Sequence, residues 1–183
     1  MKKTGILIAE GFEEIEAVTA ADVLRRGGVD AKLISVTGKL PVTGAHGITV
    51  TCDELLDQQK LMELDALALP GGMPGTLNLQ NDPAVISALS AFSKTDKLLC
   101  AICAAPKVLG EMGLLKGLSA TCYPGFEVYL KGAEYTGADW TLDGNILTGK
   151  GPGLAMSFAL RILAALSGEE KAREVQEDLL FRE

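Results

Sequence analysis

Short apolar runs alternate with stretches of helical period along this chain, and glycine or proline repeatedly marks the seam between them. TGILIAEG (4–11) is a strand-like run ending in Gly11, and EEIEAVTAADVLRRGG (13–28) is a helix stopped by two glycines. DAKLISV follows as a second strand and completes a βαβ unit. LDALALPGG (64–72) is a buried strand cut off by Pro-Gly-Gly, and KLLCAI is another, leading into the helix AAPKVLGEMGLL. Asp82 before Pro83 supplies an N-cap with proline at the first helical position, which predicts a helix through PAVISALSAFSK. Strands that alternate with helices in this way imply a mostly parallel sheet covered on both faces. In such sheets ligands bind at the carboxyl ends of the strands, near a topological switch point.

The remaining segments fit around that sheet. Gly/Pro turn signals and the alternation of Ile48, Val50 and Cys52 make residues 38–54 a hairpin-like excursion. LSATC is a strand candidate, and WTLDGNILTG carries the Asp-Gly turn of a hairpin. LAMSFALRILAALSG and EEKAREVQEDLL close the chain as helices. With 183 residues and 48% hydrophobic content the chain can bury one full core, so a single domain over 1–183 is expected. The 24 acidic against 17 basic residues leave no electrostatic footprint for nucleic acid. Arg161 interrupts the longest apolar stretch, and Glu10 arrives too early for a secretory signal, so no membrane partner is expected. These features predict a soluble cytoplasmic protein whose Cys52, Cys100, Cys103 and Cys122 are reduced thiols.

Three turns after strands carry chemistry. In KLLCAICAAP, a strand ending near Ile102 and a helix starting near Ala104 would put Cys103 at a helix N-terminus. The free N–H groups there favour a thiolate, with a pKa below about 7.5. The other reading of Cys103 is a buried structural cysteine, and Cys100, inside the apolar run, fits that reading better. A redox pair needs both cysteines at the helix mouth, and a zinc site is not supported because Cys52 and Cys122 form no close pair with each other. His46 is the only histidine and lies in the turn-rich excursion, so a Cys-His dyad would require that loop to fold over the site.

A carboxyl group is the other available partner. Glu16 has Phe12, Ala20, Val23 and Leu24 as helical neighbours, so it lies on an apolar sector where desolvation favours the protonated form. Such a group can donate a hydrogen bond to a thiolate and shuttle a proton. Glu13 and Glu14 suit the alternative role of helix-start glutamates, and periodicity separates Glu13 from Glu16 only slightly. Pro70-Gly71-Gly72 is either a plain turn or a source of unblocked amides; beside a Cys103 elbow, the Gly72 and Ala104 N–H groups would form an oxyanion hole.

GFEEIEAV, LALPGGMPG, AICAAP and GKGPG, in this order and over nearly the whole chain, resemble the ThiJ/PfpI superfamily, in particular its branch containing the parkinsonism-associated deglycase. The resemblance implies a flavodoxin-like (Rossmann-type) α/β three-layer sandwich, a homodimer and a reactive cysteine at a strained strand-to-helix elbow. By the family pattern Cys103 matches the nucleophile, Glu16 its hydrogen-bonding carboxyl, and Gly72 and Ala104 the oxyanion-hole amides. Gly151, Pro152 and Gly153 match a loop packed near the nucleophile. Gly71, Tyr123, His46 and Pro152 are then candidate walls of the site; Tyr123 stands where that branch has a histidine, and His46 where it has an arginine.

Two functions follow from the resemblance. The first is a cofactor-free, metal-free enzyme acting on small reactive carbonyls, a glutathione-independent glyoxalase or deglycase, with Cys103 as nucleophile and Glu16 as proton partner. The second is a redox-sensing or chaperone-like protein of oxidative stress, in which Cys103 is oxidised to a sulfinate without turnover. Protease or amidase chemistry would need a Cys-His arrangement that the chain does not offer, and an amidotransferase would need a histidine and an acid after the nucleophile, where no histidine follows residue 46.

Overall fold

The computed structural model describes residues 1–182. Along the chain the elements begin with β1 (Lys3–Ile8), α1 (Glu14–Arg26), β2 (Asp30–Ser35), the hairpin strands β3 (Pro41–Thr43) and β4 (Thr49–Thr51), β5 (Glu54–Leu55), α2 (Gln58–Leu61) and β6 (Ala66–Leu69). They continue as α3 (Gly75–Asn81), α4 (Pro83–Phe92), β7 (Leu98–Ile102), α5 (Pro106–Glu111), β8 (Ser119–Ala120) and β9 (Glu134–Tyr135). β10 (Trp140–Asp143), β11 (Ile146–Gly149), α6 (Ala155–Ser167) and α7 (Glu169–Asp178) follow.

Seven strands form the central sheet in the order β10-β11-β7-β6-β1-β2-β5. All neighbours run parallel except the β10–β11 hairpin. The period of two along each strand sends alternate side chains to opposite faces. Ile6, Ile8, Cys100 and Ile102 therefore pack with α1, α6 and α7, through residues such as Leu24, Phe158 and Val175. Leu7, Leu67, Leu69 and Leu99 pack on the other side with α2 to α5, against Leu61, Leu79, Phe92 and Leu109. This is the α/β flavodoxin-like architecture, with helices on both faces of a mostly parallel sheet.

Local chemistry explains several boundaries. The Asp82 carboxylate accepts from the amides of Ala84 (2.8 Å) and Val85 (3.3 Å), so the expected cap of α4 forms, a feature worth about 1 kcal/mol. α2, α3, β5 and β9 are additional to the elements expected from the sequence, and the strand in LSATC shrinks to two residues. β3 and β4 make a separate two-stranded sheet whose turn docks on the start of α1: Gly11 N–H donates to Thr43 O at 2.8 Å, and Ala45 N–H to Phe12 O at 2.8 Å. Among the described residues no helix is long and apolar enough to cross a membrane.

From β1 the chain goes to β2 on one side of the sheet and to β6 and β7 on the other, so the direction of winding reverses between β1 and β6. The turns after β1, β6 and β7 therefore meet at one switch point, where a ligand cleft is expected.

Candidate active site

β7 ends at Ile102, and Cys103 turns with φ of 64°, a left-handed conformation costing a non-glycine residue roughly 1–3 kcal/mol. The surroundings hold it there: Cys103 N–H donates to Gly149 O, and Cys103 O accepts from Tyr123 N–H, both at 2.9 Å. Gly71 lies directly behind this elbow. A Cβ on Gly71 would sit 2.7 Å from the Cys103 Cβ and 3.0 Å from Ala104 N, so close approach requires glycine there.

Glu16, on α1, is buried at 2% exposure. Its Oε2 accepts from Gly71 N–H at 2.7 Å, while its Oε1 has no nitrogen or oxygen partner and is left to the Cys103 thiol. Gly71 thus buttresses the elbow and also fixes the acid beneath it. Burial raises the Glu16 pKa to about 7, against the lowering effects of the Gly71 amide and the thiol. The expected desolvation and its upward push on this carboxyl are both present, and they leave it divided between its neutral and charged forms near neutral pH.

The expectation of a low thiol pKa does not hold. Burial, followed by the negative charge of Glu16, pushes Cys103 up to about 12, against the lowering effect of the Gly72 and Ala104 amides, which hydrogen-bond the sulfur. The physical reason is twofold. Cys103 is only 9% exposed, and α5 begins at Pro106 and spans six residues, so Ala104 and Ala105 belong to the turn and no long helix points its dipole at the sulfur. Cys103 and Glu16 are better described as a coupled pair. When the thiol proton passes to Glu16, the carboxylate charge vanishes, and the new thiolate faces two amides and a neutral carboxyl donor. That microstate carries a thiolate with no charged carboxylate beside it.

A pH effect follows. The folded Glu16 titrates near 7 rather than at its ordinary 4.5, so it favours the folded state fully below about pH 4.5, and that advantage is lost as pH rises through about 7. Glu16→Gln keeps an acceptor for Gly71 and removes the buried charge. It is expected to raise the melting temperature at pH 8 but not at pH 4, with a gain on the order of 3 kcal/mol at the higher pH. Equal shifts at both pH values would count against a raised Glu16.

A cavity of about 370 Å³ opens above the sulfur, and Gly72, Cys103, Ala104, Tyr123, His46 and Pro152 line it. The structure thus brings together every residue expected at the site, except that Gly71 stands behind the sulfur and not in the wall. Gly151 supports the wall, since a Cβ there would meet the Tyr123 ring at 3.2 Å. Glu13, Ile15, Met73 and Phe126 also line the cavity. Sequence reasoning missed Ile15, Met73 and Phe126, which carry no motif signal, and assigned Glu13 to the helix start. Glu13 is indeed the N-cap of α1, accepting from Ile15 N–H at 3.4 Å. A cavity of about 230 Å³ beside β2 and β5 and one of about 360 Å³ beside α6 lie away from Cys103.

The hairpin turn does fold over the site. The buried Glu14 carboxylate accepts from His46 N–H at 2.7 Å and Ile48 N–H at 3.3 Å, and pairs with His46 Nδ1 at 2.9 Å. Gly44 allows this approach, since a Cβ there would fall 2.3 Å from the Glu14 Oε1. The hydrogen bond to Glu14 raises the His46 pKa; donors from His46 and Ile48 hold Glu14 low despite burial. Glu13, Glu14 and His46 bring three donor atoms within 4.8 Å of one another. Glu14 already accepts these hydrogen bonds, so the group is built as an ion pair.

Fold and site together define an α/β protein whose cysteine is held at a strained strand-to-helix elbow over a buried carboxyl. The chain belongs to the DJ-1/PfpI family, whose model matches residues 2–165. It is 39% identical over 183 residues to Protein DJ-1 homolog B of Arabidopsis thaliana, covering 99% of this chain and 42% of that one. The chain therefore spans less than half the length of this relative and of a second Arabidopsis relative, homolog A, where it covers 46%. It is 34% identical to the Parkinson disease protein 7 homolog of Danio rerio, covering 100% of this chain and 98% of that one. It is 33% identical to the glutathione-independent glyoxalase DJR-1.2 of Caenorhabditis elegans, covering 95% of this chain and 93% of that one. Among solved structures, a cysteine-to-alanine mutant of a DJ-1 superfamily protein from Salmonella typhimurium matches with a TM-score of 0.93 and 35% identity, covering 100% of both chains. Oxidized Toxoplasma gondii DJ-1 matches with a TM-score of 0.93 and 32% identity, also covering 100% of both.

Proposed function

We propose that this chain is a cofactor-free glyoxalase that converts small 2-oxoaldehydes such as methylglyoxal into 2-hydroxy acids, with Cys103 as nucleophile and Glu16 as proton carrier. The observation that carries this reading is the coupling of the Cys103 thiol to the buried Glu16 carboxyl at the floor of the cavity. The name of the nematode relative supports it. The sulfur adds to the aldehyde carbon, and the thiol proton, carried by Glu16, reaches the new oxygen to give a hemithioacetal. Glu16 then removes the proton on that carbon and returns it to the neighbouring one, leaving an acyl thioester. Water cleaves the carbon–sulfur bond, releasing lactate from methylglyoxal and restoring the thiol. One carbon is oxidised and its neighbour reduced, so the sum is substrate plus water and no outside redox partner is consumed.

The cavity, at about 370 Å³, lies near the small end of ligand sites and suits a three-carbon aldehyde. The test is lactate formation from methylglyoxal by the purified protein without glutathione; no lactate above the uncatalysed rate would end the proposal. A second reading rests on the Gly72 and Ala104 amides directed at the sulfur, which would equally hold a sulfinate. A protein that gains two oxygens at Cys103 under mild peroxide, yet never forms lactate, is a redox sensor or a chaperone-like protein instead. In either role we expect a cytoplasmic homodimer: Ile15, Val18 and Ile48 are exposed around the Glu14 junction and offer an apolar surface for a second copy. Sedimentation at the mass of one chain would exclude that assembly.

A further inference from the structure

We infer that His46 selects 2-oxoaldehydes over simple aldehydes, its imidazole donating a hydrogen bond to the ketone oxygen beside the carbon that Cys103 attacks. This rests on the glyoxalase reading for its substrate class.

The floor and the wall of the cavity are chemically different. The Gly72 and Ala104 amides are directed at the sulfur, and Glu16 lies beneath it, so the floor serves the reacting carbon. The second oxygen of a dicarbonyl must find its donor in the wall. Among the described residues lining the cavity, His46 is the one that can carry positive charge. Its Nδ1 is committed to Glu14 at 2.9 Å, which leaves Nε2 as the unbound ring nitrogen of a side chain 67% exposed. Glu14 cannot swing away with it, because it also accepts the His46 and Ile48 amides. The hydrogen bond to Glu14, with Glu13 standing 3.6 Å from the same Nδ1, raises the ring's pKa from its ordinary value and so favours a positive charge on it. Glu14 is therefore a positioning residue.

That charge is useful at one step. As the proton on the thiol-bearing carbon leaves for Glu16, the electron pair moves onto the ketone oxygen and makes an enediolate. An imidazolium N–H stabilises this oxygen more than it stabilises the neutral ketone. A simple aldehyde has no such oxygen and gains nothing. The competing donor is the Tyr123 hydroxyl, whose ring lines the same cavity but lies against Gly151.

The experiment compares wild type with His46→Ala, His46→Lys and Tyr123→Phe. Two readouts are taken: kcat/KM for lactate from methylglyoxal, and protection of Cys103 from iodoacetamide by methylglyoxal or by propanal. Protection needs no turnover. In His46→Ala, the concentration of methylglyoxal needed for protection is expected to rise roughly tenfold or more, with a matching loss of kcat/KM, while propanal protection stays within about twofold. His46→Lys, which keeps a cation, is expected to lose less. Equal shifts for both aldehydes, equal losses in both His46 variants, or a shift produced by Tyr123→Phe alone would overturn the inference. A wild type that forms no lactate, but loses methylglyoxal protection selectively in His46→Ala, would sink the glyoxalase reading and leave the role of His46 standing.

Discussion

Replacing Cys103 by serine is expected to lower lactate formation from methylglyoxal at least about a thousandfold, while leaving the fold intact. Oxygen fits where sulfur stood, and the backbone bonds to Gly149 and Tyr123 that hold the elbow do not involve the side chain. The chemistry does not survive the exchange. A serine hydroxyl gives up its proton far less readily than a thiol, and a carboxyl titrating near 7 is too weak a base to take it. Cys100 and Cys122 are more deeply buried than Cys103, and neither borders the cavity. Burial drives the Cys100 thiol far upward and Cys122 up to about 12. Cys100→Ala is therefore expected to cost stability but to keep the per-molecule rate within about threefold. Turnover by Cys103→Ser within tenfold of wild type would show that another group does the work.

Gly71→Ala is expected to damage stability and reactivity together. The added methyl would lie 2.7 Å from the Cys103 Cβ and 3.0 Å from Ile102 O, and two of its three nearest neighbours are backbone atoms. Overpacking of this kind costs about 3 kcal/mol. For a chain of this length that corresponds to a fall of roughly 6–12 °C in melting temperature. The same methyl pushes on the turn after β6 that presents Gly71 N–H to Glu16, so the acid and the sulfur move apart. Alkylation of Cys103 by iodoacetamide, measured below the melting transition, is expected to change its pH dependence. Gly113→Ala is the comparison: a Cβ there meets nothing within 4 Å, so only the cost of its positive φ remains. A Gly71→Ala protein as stable and as reactive as wild type would remove the buttress from the account.

The sheet was legible because each of its main strands is an apolar run ending at a turn residue, as in TGILIAEG and LDALALPGG, and such runs can hardly be anything but buried strands. The cap of α4 was legible for an equally local reason, Asp82 standing before Pro83. α3 was not, since it starts at Gly75 with no side-chain cap and carries Thr, Asn and Gln among its few apolar residues. β5 and α2 are too short for a period to show. The start of α5 was misplaced because Ala104 and Ala105 are strong helix formers, yet the left-handed Cys103 spends them on the turn. Burial of the sulfur, followed by the charge of Glu16, is why the thiol pKa moves upward and not downward. Glu16 was within reach only in part: its helix face favours it slightly over Glu13, and the family pattern singled it out. The pairing of Glu14 with His46 spans 32 residues, and no local pattern encodes it.

The β3–β4 hairpin has consequences beyond its own contacts. The sulfur and its acid are rooted in the sheet and the first helix, whereas His46 rides on a small hairpin fastened through the Glu14 carboxylate and the backbone of Gly11 and Phe12. On the proposed glyoxalase reading, substrate choice and bond making are thus mounted on different pieces of the chain. On that reading, changes at a few loop positions would alter the choice of carbonyl and leave the sulfur and its acid untouched.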